Sequence, residues 1–154
     1  MNETRKCSLP DQTRLNQVRL RTADIKRQLG FYTDVLRFKA LDGVGADYAL
    51  SASGKGPGFL VLHEYAKAVP RPPRSVGLYH FAVRYPGREE LARAYRRLRD
   101  RGYPIAGASD HGVSEAIYLS DPDGNGIELY TDRPRSEWRW QNGQVAMATN
   151  PLDV

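Results

Sequence analysis

The chain repeats itself. Shifted by 63 residues, Gln17 aligns with His80, Val18 with Phe81, Leu20 with Val83, Tyr32 with Tyr95 and Val35 with Leu98. A strand-like stretch, a helix-like stretch and their apolar positions recur together without a gap, which restricts the fold to one built from two copies of one unit. Each unit alone would leave its sheet half covered, so the two must pack together. At 154 residues, 40% of them hydrophobic and 27% charged, the chain has the material for one well-packed domain.

Within the first copy, apolar residues at 15, 18 and 20 predict a strand over 15–21. Ile25, Leu29, Tyr32, Val35 and Leu36 then fall on one helical face, with Thr22 or Asp24 placed to cap its first turn. Stretches 38–41, 47–51 and 58–63 read as strands between glycine-rich turns. In the second copy 78–84 is a strand, and Leu91, Ala94, Tyr95 and Leu98 stripe a helix closed by Gly102. Stretches 104–108, 116–120 and 126–131 follow as strands, the last two joined by the turn Asp121-Pro-Asp-Gly-Asn-Gly. The expected fold is α+β: two tandem βαβββ repeats forming a curved mixed sheet cup with helices on the outer face. Its expected parts are a loose tail over 1–12, units over 13–66 and 77–132, a linker over 67–76 stiffened by Pro70, Pro72 and Pro73, and a C-terminal tail over 133–154.

The net charge of +5 invites a nucleic-acid reading, but Arg88, Arg93, Arg96, Arg97, Arg99 and Arg101 alternate with Glu89, Glu90 and Asp100, the pattern of a solvated helix face. No apolar run approaches the roughly 20 residues needed to cross a bilayer, and the polar first residues carry no signal-peptide core. The expectation is a cytoplasmic protein with neither a membrane nor a nucleic-acid partner. Cys7, the single cysteine, excludes an internal disulfide and a cysteine-based zinc cluster.

Successive strand residues point to opposite faces, so each strand sorts into a helix-facing and an uncovered set. Val18 and Leu20, Phe81 and Val83, and Ile127 and Leu129 are the packing residues. Gln17, Arg19, His80, Ala82, Arg84, Glu128 and Tyr130 therefore share the uncovered face. If that face curls into a cup, Gln17, His80 and Glu128 offer one amide oxygen, one imidazole and one carboxylate to a divalent metal: Fe2+, Mn2+, Ni2+, Co2+ or Zn2+. Arg19 or Arg84 could then orient an anionic substrate. Tyr118 could donate a hydrogen bond to a ligand oxygen at the ion, or simply fill the cup. The plain alternative is a hydrogen-bonded structural His80 and a Glu128 half exposed or paired with Arg19 or Arg84. His111 falls in a loop near the cup mouth.

Three stretches resemble the vicinal oxygen chelate superfamily, which includes glyoxalase I, bleomycin resistance proteins and extradiol dioxygenases. They are Phe31-Tyr-Thr-Asp-Val-Leu-Arg-Phe, Tyr79-His-Phe-Ala-Val, and Asp121-Pro-Asp-Gly-Asn-Gly-Ile-Glu-Leu-Tyr. Residues 108–116 and the tail around Trp138, Trp140 and 147–154 look like the N-terminal half of catechol 2,3-dioxygenase-like proteins, whose iron ligands lie in two further units. The resemblance implies metal-ligand positions at His80, Glu128 and Gln17. It places Val61 where a fourth glyoxalase-type ligand is expected, with His63 or Glu64 as substitutes in a slipped register. It implies a divalent-metal-dependent dioxygenase, lyase or isomerase acting on a small molecule with vicinal oxygens. The alternative is a metal-free small-molecule binder like the bleomycin resistance proteins. Paired units complete such a cup within one chain or across a dimer, and a homodimer is expected.

Overall fold

A computed structural model describes residues 9–69, 72 and 75–153. Cys7 and part of the expected tail and linker lie outside the described residues. Strand β1 (Val18–Thr22) leads into helix α1 (Ile25–Gly30), then β2 (Lys39–Ala40), β3 (Asp47–Ser51) and β4 (Leu60–Glu64). The second copy runs β5 (His80–Arg84), α2 (Arg88–Asp100), β6 (Gly107–Asp110), β7 (Ser114–Ser120) and β8 (Gly126–Asp132). One sheet has the order β1-β4-β3-β2, and the other contains β5-β8-β7-β6, so the repeat in sequence is a repeat in topology. In each unit the first strand pairs in parallel with the last, and the remaining pairs are antiparallel. The architecture is the expected α+β one, with open curved sheets.

The C-terminal segment adds a hairpin, β9 (Trp140–Gln141) with β10 (Gln144–Val145), and a short strand, β11 (Asn150–Pro151), that extends the second sheet beyond β6. Trp138 anchors this segment by donating its indole N–H to the Arg133 carbonyl at 3.0 Å.

One apolar core serves both units. Leu20, Leu50, Leu60 and Leu62 from the first sheet meet Phe81, Ile117 and Leu129 from the second, with Phe31, Tyr32 and Leu98 from the helical segments. Alternation is clean in β8, where Ile127, Leu129 and Thr131 are buried and Gly126, Glu128 and Tyr130 between them are not. In α2, Leu91, Ala94 and Leu98 are buried at spacings of three and four, acidic Glu89 and Glu90 sit in the first turn and Arg97 and Arg99 in the last. Gly102, at φ +60°, closes the helix, with Tyr103 N–H returning to the Leu98 carbonyl at 2.9 Å.

Several element boundaries differ from expectation. The first strand starts at Val18 because the ladder begins only where Val18 N–H meets the Phe59 carbonyl, leaving Leu15 fully exposed and Gln17 just ahead of β1. The expected strand over 104–108 lies later, at β6, where β7 and β11 both pair with it. Asp24 caps α1 by accepting the Arg27 N–H at 3.0 Å, and Thr22 Oγ1 accepts the N–H of Asp24.

The first helix does not run evenly to residue 36. Over Phe31–Val35 it widens into a π turn, and Leu36 N–H bonds the Phe31 carbonyl. It ends on Arg37, held at φ +67°, where the left-handed backbone favours glycine. A non-glycine residue there costs about 1–2 kcal/mol. Arg37→Gly is therefore expected to raise stability by about 1 kcal/mol in urea titration, with an unchanged denaturant slope.

The two units are fastened by a buried carboxylate. Asp121 Oδ1 accepts the backbone N–H groups of Asp123 and Asn125, and Oδ2 accepts from Asn125 Nδ2 at 2.8 Å and from the Tyr32 hydroxyl at 2.9 Å. Burial and then the Asp121 carboxylate push the Tyr32 phenol far above its usual range, so it is held as a donor. Arg27 also reaches Asp123, and Phe31 packs on Tyr103.

Candidate functional site

The uncovered face of the second sheet carries a chain of polar groups. His80 Nε2 lies 3.0 Å from Glu128 Oε2. The register places Gly126 opposite His80 and Glu128 opposite Ala82, so imidazole and carboxylate meet diagonally across β5 and β8 with no bulk between them. On the other side β7 places Tyr118 opposite Glu128, and the Tyr118 hydroxyl donates to Glu128 Oε1 at 3.1 Å. Both carboxylate oxygens are thus engaged, and the Glu128 side chain is only 16% exposed. Burial, and then the Glu128 charge, push the Tyr118 phenol up to about 12, which keeps it a proton donor at neutral pH.

His111 extends the chain one step further. Its Nε2 lies 2.9 Å from the Tyr118 hydroxyl and its Nδ1 2.9 Å from the Ala148 carbonyl. The turn that carries it is fixed by Asp110, which accepts from Gly112 N–H through one oxygen and from Arg133 through the other. A carbonyl only accepts, so Nδ1 carries a hydrogen. While Tyr118 donates to Glu128, its oxygen can only accept from a protonated Nε2. With a neutral ring, Tyr118 instead turns its hydrogen toward Nε2 and frees Glu128 Oε1. The two arrangements differ by one proton at His111 Nε2, so passing between them takes the gain or loss of that proton together with a rotation of the Tyr118 hydroxyl.

Gln17 approaches from the other unit. Its amide nitrogen donates to the Gly58 carbonyl at 3.1 Å, which leaves Oε1 as the free donor atom. Gln17 and His80 line one cleft of about 1080 Å3 between β1 and β5. Among the described residues no three His, Cys, Asp or Glu side chains group in a way that could hold a metal ion.

Arg19 and Arg84 are already paired. Arg19 reaches across the first sheet to Asp47, whose other oxygen lies 2.7 Å from His63 Nδ1. Arg19, and then His63, hold the Asp47 carboxyl below its ordinary range. Val61 lies between these strands, opposite both Arg19 and Ala49, and is buried. His63 is turned to Asp47. Arg84 pairs with Asp132 at 3.2 Å. His111, which the sequence places in a loop near the cup mouth and reads as a plain loop histidine, is bonded into this chain of polar groups. Its signal, a histidine seven positions before a tyrosine on the uncovered face, acquires meaning only with the Ala148 carbonyl in place.

The Glyoxalase/Bleomycin resistance protein/Dioxygenase superfamily model matches residues 14–129. The chain belongs to this superfamily. Within it, a catechol-2,3-dioxygenase of Bacillus subtilis is 46% identical over 149 residues, which is 96% of this chain and 52% of that protein. Biphenyl-2,3-diol 1,2-dioxygenase 3 of Rhodococcus globerulus is 42% identical over 91 residues, 53% of this chain and 48% of that protein. The chain thus spans about half the length of these two curated superfamily members. A glyoxalase/dioxygenase from Nostoc punctiforme shares the superfamily fold with a TM-score of 0.65 at 20% identity, over 80% of this chain and 94% of that one.

Proposed function

We propose that this chain contributes a divalent-metal site to extradiol-type oxygenation of a catechol-like small molecule, with Gln17, His80 and Glu128 as the protein ligands. The observation that carries the reading is the meeting of His80 and Glu128 at 3.0 Å on the uncovered face, backed by Tyr118 and His111. A divalent ion held by these residues would supply Lewis-acid activation of a small molecule with vicinal oxygens. The protein residues have separate tasks. Glu128 balances positive charge, and His80 presents a ring nitrogen. Tyr118, protonated at neutral pH, donates to a substrate oxygen or passes a proton onward to His111 Nε2. Ala82, a small exposed residue on the same face, leaves room for a flat ring.

One observation favours a second reading, a metal-free binding protein of the bleomycin resistance kind. The position expected for a fourth ligand is Val61, and the nearby His63 and Arg19 are both turned to Asp47. Elemental analysis separates the two. Protein purified from iron- and manganese-supplemented medium should hold about one divalent ion per chain, and His80→Ala or Glu128→Ala should lower metal affinity at least about tenfold. Equal metal content in parent and both variants would reject the ligand set. Loaded protein should also consume dissolved oxygen when catechol is added.

A further inference from the structure

The cleft between β1 and β5 has an unbalanced lining. Arg19, Arg37, Arg84 and Arg97 all line it, and among the described residues no aspartate or glutamate does. Two of these charges are answered from outside the cleft, Arg19 by Asp47 and Arg84 by Asp132. The other two are not. Among the described residues Arg37 has no hydrogen-bond or ion-pair partner, although it occupies a strained left-handed backbone position. Arg97 hydrogen-bonds the Tyr85 hydroxyl, while its Nε is buried without a partner. A buried guanidinium N–H left unsatisfied is costly, and a strained residue with no internal contact suggests a role outside the apo fold. The rest of the lining is apolar: Phe59 and Val83 are partly buried, and Phe38, packed edge to face on Phe59 at 5.0 Å, Leu36 and Phe81 are buried behind them.

We infer that this cleft binds the carboxylate arm of an aromatic substrate, with Arg37 and Arg97 as the anion-recognising residues. Guanidinium forks match a carboxylate, while phenylalanine walls favour a ring over a strongly hydrated polyphosphate. His80 and Gln17 border the same cleft, from the face of β5 and β1 opposite to Phe81 and Val83. The inference narrows the substrate of the ring-cleaving reading to a catechol with an acidic substituent and rests on that reading for the diol end. Carboxylate recognition can be tested without it.

The test is calorimetric titration of the full chain, with chelator present, using 4-phenylbenzoate and its neutral amide. The carboxylate should bind at least about tenfold more tightly, a difference of about 1.4 kcal/mol. Arg37→Gly, which removes backbone strain together with the charge, and Arg97→Gln should each weaken carboxylate binding about fivefold or more while leaving the amide unchanged. Arg101→Gln removes the same charge outside the cleft and should leave the preference intact. Equal binding of acid and amide, an unchanged preference in both cleft variants, or an equal loss in Arg101→Gln would each overturn the inference. Absence of metal and oxygen uptake would reject the oxygenase reading while leaving the carboxylate preference standing. If the loaded protein does turn over catechols, one carrying a carboxylate arm that shows no lower KM than catechol would overturn the substrate assignment.

Discussion

Gly126→Ala is expected to unfold roughly 6–12 °C below the parent and to lose metal and ligand binding together, the first from a cost of about 3 kcal/mol. A methyl group at residue 126 would lie 2.3 Å from the Tyr79 carbonyl oxygen and 3.0 Å from His80 Cβ. The nearer atom is backbone, so the strand must move. The strand concerned is the parallel pair of β8 that carries His80, and its displacement widens the 3.0 Å approach of His80 to Glu128. Urea titration and elemental analysis of the same preparation would check both effects. A stable variant that still binds metal would show that β5 tolerates the shift and that the imidazole position is not set by this contact.

Asp121→Ala is expected to cost about 3–5 kcal/mol, because one buried carboxylate serves four donors and its removal strands the Tyr32 hydroxyl in the core. Tyr32→Phe removes one of those bonds and should cost about 1–2 kcal/mol. In the double variant the stranded hydroxyl is gone, so the combined loss should be smaller than the sum. Additive losses in denaturant midpoints would mean that the two groups do not depend on each other. The turn Asp121-Pro-Asp-Gly-Asn-Gly thus has a structural task, to shape itself and to receive the first unit's helical segment.

Much of this architecture was legible in the residues. The 63-residue offset located both copies, and alternation placed His80, Tyr118 and Glu128 on one face, because side chains along a strand must alternate. What escaped the sequence depended on partners distant along the chain. Tyr32 read as one more member of an apolar stripe and Asp121 as a turn residue, since their bond exists only after the units dock. Arg19 and Arg84 were assigned to a face, but their ties to Asp47 and Asp132 depend on rotamers and sheet twist. The π turn before Arg37 leaves no periodic trace, and the partner of His111 is a backbone carbonyl, which every residue possesses.

That carbonyl has a consequence beyond anchoring. The oxygen of Ala148 decides which nitrogen of the His111 ring carries hydrogen, so the tautomer presented to Tyr118 is dictated by the C-terminal ribbon. Peeling that ribbon from β6, by a cut or by a competing strand, would reset the acid–base inventory of the hollow without altering any side chain inside it.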